Sequence, residues 1–150
     1  MGALQQRNEK PELVLNLGTA GSPTFKVGEI VNCTKFIQRD MDTTAFGTPA
    51  FQTPSDAVPS IMNNGLRFSD FPEGTCGSGD SFVTDQKSSS WNVVDMEAYA
   101  LAKVCFMEKT QFGCLKYITD GSDSAAAESW DKAVQGAAET LRKAAKGLFV

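Results

Sequence analysis

Two acidic residues in the stretch 93–123, V-V-D-M-E-A-Y-A-L-A-K-V-C-F-M-E-K-T-Q-F-G-C-L-K-Y-I-T-D-G-S-D, stand at joints of local structure. Glu97 falls where a short apolar strand gives way to a helix, and Asp120 where the apolar run 114–119 ends. Ligands of a sheet flanked by helices collect at the carboxyl ends of its strands. Two carboxyls delivered there by neighbouring strands look like a site rather than a surface. The plainer alternative is a pair of ordinary loop acids, and spacing alone leaves the two readings level. The chain has no histidine. That excludes a Ser-His-Asp triad, a Cys-His pair and a His-bearing zinc site together.

Composition narrows the class further. A length of 150 residues is one domain's worth of chain, so a single domain over 1–150 is expected. The net charge of −4 comes without any basic cluster, which gives nucleic acid or an anionic membrane no electrostatic purchase. No apolar run is long enough to span a bilayer, and residues 1–10 carry no secretory pattern. The four cysteines, Cys33, Cys76, Cys105 and Cys114, are widely spaced. Three lie in apolar segments, which suits reduced, buried thiols in a cytoplasmic protein better than a disulfide frame.

The elements that must position the two acids follow from hydrophobic pattern. Residues 1–9 are polar with helical composition. The run 13–17, L-V-L-N-L, reads as a buried strand ending in the loop Gly18-Thr19-Ala20-Gly21-Ser22-Pro23. Such a loop either lets backbone N–H groups approach a phosphate or sugar, or is a tight turn needing positive φ. Residues 30–37 read as a strand rich in β-branched and aromatic side chains, followed by an acidic loop through Asp40 and Asp42. Within 48–70, Ser55 is an N-cap candidate for one short helix over 55–63. Residues 74–83 predict a strand leading to a second glycine-bearing loop, with Phe82 either stacking on a planar ligand or, as the residue alone favours, anchoring the loop in the core. The helix from about Met96 is apolar nearly all round and is expected to be buried, with a turn at Gly113. A last amphipathic helix is expected from Ser129. Strands alternating with helices predict an α/β fold, a three-layer α/β/α sandwich with a mixed, mostly parallel central sheet.

Several of these segments, taken in order, resemble the purine nucleoside phosphorylase/nucleosidase superfamily. They are Asn16-Leu17-Gly18-Thr19-Ala20-Gly21, Val27-Gly28-Glu29-Ile30-Val31, Thr44-Ala45-Phe46-Gly47, Ser78-Gly79-Asp80-Ser81-Phe82, Val94-Asp95-Met96-Glu97 and Ile118-Thr119-Asp120. The methylthioadenosine/S-adenosylhomocysteine nucleosidase branch is the nearest in pattern, over nearly the whole chain from Pro11. The resemblance implies that Glu97 accepts hydrogen bonds from ribose hydroxyls while Met96 packs on the sugar. It implies that Asp120, after Thr119 of the same motif, protonates the purine at N7. It implies that Phe82 and Val83 stack on and bond the base, that Thr19 lies near the sugar, and that Thr43 and Trp130 line the base and the 5′ side. No cofactor and no metal are implied. The implied ligand is a purine nucleoside, with phosphate added if the chain is a phosphorylase, and the implied assembly is a homo-oligomer, a dimer first.

The chemistry is consistent with those roles. Breaking an N-glycosidic bond needs a neutral leaving base, so a carboxylic acid held partly dry must keep a proton to give it. The sugar then becomes oxocarbenium-like, which a neighbouring carboxylate favours. Three departures from the family pattern stand out. An N-terminal portion that supplies a water-activating glutamate, or a phosphate-holding glycine and arginine, is not visible here. Lys116 stands where many members have arginine, a point charge in place of a planar fork. The segment 48–70 is short and proline-rich. These leave three functional readings: hydrolysis of a purine thionucleoside, phosphorolysis of it, or a truncated, silent homologue that binds a nucleoside or a partner chain. A sheet edge left open by missing strands is expected to favour self-association.

Overall fold

The computed structural model describes residues 10–85 and 90–148, without the side chain of Lys132. The helical reading of residues 1–9 therefore lies outside the described residues. Six strands make one mixed sheet: β1 (Leu13–Gly21), β2 (Ile30–Gln38), β3 (Ile61–Met62), β4 (Glu73–Ser78), β5 (Val93–Asp95) and β6 (Gln111–Asp120). Two helices, α1 (Ala98–Glu108) and α2 (Ala126–Gly147), and a 3-10 turn at Thr44–Phe46 complete the described elements.

The sheet closes on itself. Its order is β3-β2-β4-β5-β1-β6, and the first residues of β2 return to pair with β6, Ile30 facing Tyr117. Strand β1 runs parallel to β6, and β4 runs parallel to both β2 and β5. Antiparallel contacts join β5 to β1 at Gly21 and Val94, and β2 to β3. Closure pairs edges that would otherwise be open, so the open edge expected from sequence is largely absent.

The helices cover opposite faces. Ala98, Tyr99, Ala102 and Cys105 of α1 join Cys33, Phe36, Cys76, Cys114 and Ile118 in one core. Phe36 and Phe112 meet there edge-on with centroids 5.2 Å apart, worth about 1 kcal/mol beyond the area they bury. On the other face α2 packs against β6 and β1, with Ala137 and Leu141 buried. The α/β expectation with layers on both sides of the sheet is met.

Five local expectations are corrected. Residues 18–21 continue β1 rather than forming a loop, and neither Gly18 nor Gly21 has positive φ. No helix forms over 55–63: Ser55 sits at φ 61, and Asp56 Oδ1 accepts from the Val58 N–H in a local turn that competes with helix. The chain reverses at Lys109, φ 52, so that Gly113 lies inside β6. A Cβ at Gly113 would sit 2.9 Å from Leu15 Cδ1 and Phe68 Cζ, which is why the small residue is there. Finally, α1 is not buried all round, since Leu101, Phe106 and Met107 remain exposed, and α2 begins at Ala126, before Ser129.

The cysteines behave as the sequence indicates. All four are free and buried. The neighbouring Cys114 and Cys76 thiols, with burial, hold Cys33 well above the ordinary thiol range, and burial pushes Cys76 up to about 11. Thiols so placed stay protonated and unreactive.

Candidate functional site

A bulge in the β1–β6 ladder aims the first acid. The register runs from Leu13 opposite Gln111 to Ala20 opposite Ile118, then jumps to Gly21 opposite Asp120, so Thr119 is the extra residue. Bulges near sites commonly re-aim a side chain in this way. Asp120 is 3% exposed. Its Oδ1 accepts from the Ser122 N–H at 2.9 Å, and Thr119 Oγ1 lies 2.9 Å from Oδ2 and 3.3 Å from the Ala20 carbonyl. The Thr119 hydroxyl can give its proton to either oxygen. It therefore partners the carboxylate as donor and the protonated acid as acceptor.

Gly21 gives this carboxyl its room. A Cβ there would lie 2.4 Å from both Asp120 Oδ1 and Ser122 Oγ. Gly21→Ala is expected to displace Asp120 and to cost about 1–3 kcal/mol of stability. Gly18→Ala is the milder control, because its Cβ would lie 3.0 Å from Lys116 Nζ, an overlap that a shift of a few tenths of an ångström relieves. A urea titration of both variants checks the contrast.

The second acid stands at the β5–α1 joint. Glu97 is mostly exposed, at 62% of its side chain. The helix behind it is capped by other residues: Asp95 Oδ2 accepts from the Ala98 N–H at 2.9 Å, and Ser78 Oγ from the Tyr99 N–H at 2.8 Å. Ser78 in turn donates to Asp95 Oδ1, linking the end of β4 to the end of β5. Lys116 runs beneath Gly18 and places its ammonium 2.7 Å from Asp95 Oδ2 and 3.7 Å from Glu97 Oε2. Charge is the chief attraction between Lys116 and Asp95. Both members of the Lys116–Asp95 pair are almost fully buried.

Asp95, Glu97 and Asp120 face one cavity of about 550 Å³ at the carboxyl ends of the strands. Of the residues singled out from sequence, it brings together Thr19, Phe82, Val83, Met96, Glu97, Asp120 and Trp130. Phe82 is 48% exposed and lines the cavity, so it does not anchor its loop in the core. Thr119 stands behind Asp120 as its hydrogen-bond partner rather than on the wall. Thr43 lies apart, before the 3-10 turn, with its hydroxyl 3.5 Å from the Gln52 carbonyl. Asp95, Arg39 and Ser81 also line the cavity and were not picked out as site residues. The signal for Asp95 was present. A lysine in the middle of the apolar run Cys114-Leu115-Lys116-Tyr117-Ile118 demands a buried counter-charge.

The arrangement has a definite chemical character. It combines a buried carboxyl, an open carboxyl that can accept hydrogen bonds, and two aromatic side chains, Phe82 and Trp130, that can meet a planar ligand. Among the described residues, no group of three or more His, Cys, Asp or Glu side chains gathers to hold a metal.

Comparison with known proteins identifies the family. The profile of the phosphorylase superfamily matches residues 3–150. The 5′-methylthioadenosine/S-adenosylhomocysteine nucleosidase of Bacillus velezensis is 32% identical over 86% of this chain, which spans 65% of the relative's length. The Haemophilus influenzae enzyme of the same name is also 32% identical, over 82% of this chain and 62% of its own length. Among solved structures, the Helicobacter pylori nucleosidase complexed with a pyrrolopyrimidine pyrrolidinol ligand superposes with TM-score 0.80 at 25% identity, covering 91% of this chain and 67% of that one. The futalosine hydrolase of the same organism shares the fold at 24% identity and TM-score 0.80, over 90% of this chain and 66% of that one.

Proposed function

The chain belongs to the phosphorylase superfamily, and from that premise we propose that it hydrolyses the N-glycosidic bond of a purine thionucleoside such as methylthioadenosine or S-adenosylhomocysteine. The observation that carries this reading is that one cavity is lined by both a buried carboxyl, Asp120, and an open one, Glu97.

In this reading the purine lies against Phe82, with the Val83 backbone at its edge, and Asp120 gives its proton to N7. The electrons of the glycosidic bond then leave with a neutral base. Glu97 holds the ribose hydroxyls and favours the positive charge that develops on the sugar. Met96 and Thr19 pack around the ribose, Trp130 bounds the 5′ side, and Thr119 steadies Asp120 in both protonation states. Water attacks the face of the sugar away from the base and sheds its proton to bulk solvent, from which Asp120 recovers the one it gave. The relatives' names support the substrate class. A role in methionine salvage in the cytoplasm belongs to the same proposal, as does assembly as a homodimer.

The test is adenine release from methylthioadenosine by the purified 150-residue chain, with and without added phosphate. Release without phosphate is expected. Release only with phosphate would make the reaction phosphorolysis, and no release by a folded chain that still binds adenine would leave a binding protein.

A further inference from the structure

The end of β2 grips the loop after β4. Arg39 donates its backbone N–H to the Ser78 carbonyl at 2.9 Å. Its Nη1 donates to Ser81 Oγ at 3.2 Å, and its Nη2 to the Ser81 carbonyl. The next residue acts alongside, Asp40 Oδ2 accepting from the Asp80 N–H at 2.7 Å. Gly79 is pressed between them: a Cβ there would lie 2.7 Å from Asp40 Oδ2 and 2.9 Å from Arg39 Cζ. From this loop Phe82 projects, half exposed, into the cavity.

We propose that Arg39 and Asp40 form a clamp that fixes residues 79–83 and so sets where the Phe82 ring meets the base, which makes Arg39 a positioning residue for the reaction proposed above. An exposed aromatic on a loop has little packing of its own to hold it, so its place must come from the loop's hydrogen bonds. The planar guanidinium suits this, since two of its nitrogens meet the hydroxyl and the carbonyl of one residue at once. An alternative is that Arg39, which has no ion-pair partner among the described residues, receives an anionic group of the ligand. The geometry favours the clamp, because both terminal nitrogens are engaged by Ser81.

The test compares the wild-type chain with Arg39→Met and Arg39→Lys by amide hydrogen exchange without ligand, and by calorimetric titration with adenine. Both variants are expected to exchange about tenfold faster at the amides of residues 80–83 and to bind adenine about tenfold more weakly, with the thermal midpoint little changed. Wild-type behaviour of Arg39→Lys in both measurements would overturn the clamp, since the charge without the fork would then suffice. Faster exchange with unaltered adenine affinity would also overturn it, because the loop's position would not matter to the base. Failure of the wild-type chain itself to bind adenine would sink the nucleosidase reading instead, and unchanged loop exchange in Arg39→Met would still refute the clamp on its own.

Discussion

Asp120→Asn is expected to lower kcat for adenine release by about 10³-fold while leaving adenine binding and the thermal midpoint close to wild type. The reasoning rests on what the substitution keeps. Asparagine has the same shape, so its Oδ1 still accepts from the Ser122 N–H, and the Thr119 hydroxyl turns to the Ala20 carbonyl 3.3 Å away. The change removes the proton that the carboxyl would give to N7. Binding set by Phe82 and the cavity walls survives. Steady-state kinetics alongside calorimetry measure both halves, and a fully active Asp120→Asn chain would remove Asp120 from the role of acid.

Lys116→Met is the substitution expected to damage stability most, by about 3–5 kcal/mol, because it strands the Asp95 carboxylate in a buried site. A stability curve against pH distinguishes this cause from lost packing. Burial alone would push Asp95 up, but the Lys116 charge above all outweighs it and holds the carboxyl below the ordinary range. Burial alone would likewise lower Lys116, and Asp95 reverses that, so its ammonium is held above the ordinary lysine range. A depressed carboxyl contributes stability above its unfolded value, around 4, and loses it as pH falls through the folded value. A raised lysine contributes below its unfolded value and loses it as pH climbs past the folded one. The pair should therefore add a constant amount across neutral pH and less on acidification below about pH 4. In Lys116→Met the unpaired Asp95 gains by taking up a proton. The deficit against wild type should accordingly shrink from pH 8 to pH 5 in urea titrations, whereas a deficit independent of pH would mean that packing, not charge, was lost.

Much of the architecture was legible because it is written in local pattern. Leu13-Val14-Leu15-Asn16-Leu17 and the run from Cys114 to Thr119 announce strands by apolar content, and the amphipathic repeat after Ser129 announces α2. Glu97 was visible at the joint just before α1 and Asp120 as the last residue of β6, and strand ends are where a sheet of this kind exposes side chains. The segment 48–70 was not legible. Its conformation is set by short turns such as the one Asp56 makes with Val58, which leave no periodicity to read.

By itself the sequence determined the α/β class, the absence of histidine chemistry, the reduced cysteines and the positions of the two acids along the chain. Only the tertiary structure decided how those acids are served. It placed Gly21 against Asp120 through a one-residue jump in strand register, paired Lys116 with Asp95 under the cavity floor, left Thr43 away from the wall, and brought Arg39 to Ser81. The reason is physical. A strand or helix is selected by side chains a few positions apart, whereas a buried charge, a bulge or a clamped loop is selected by residues distant in sequence that meet only when the sheet closes.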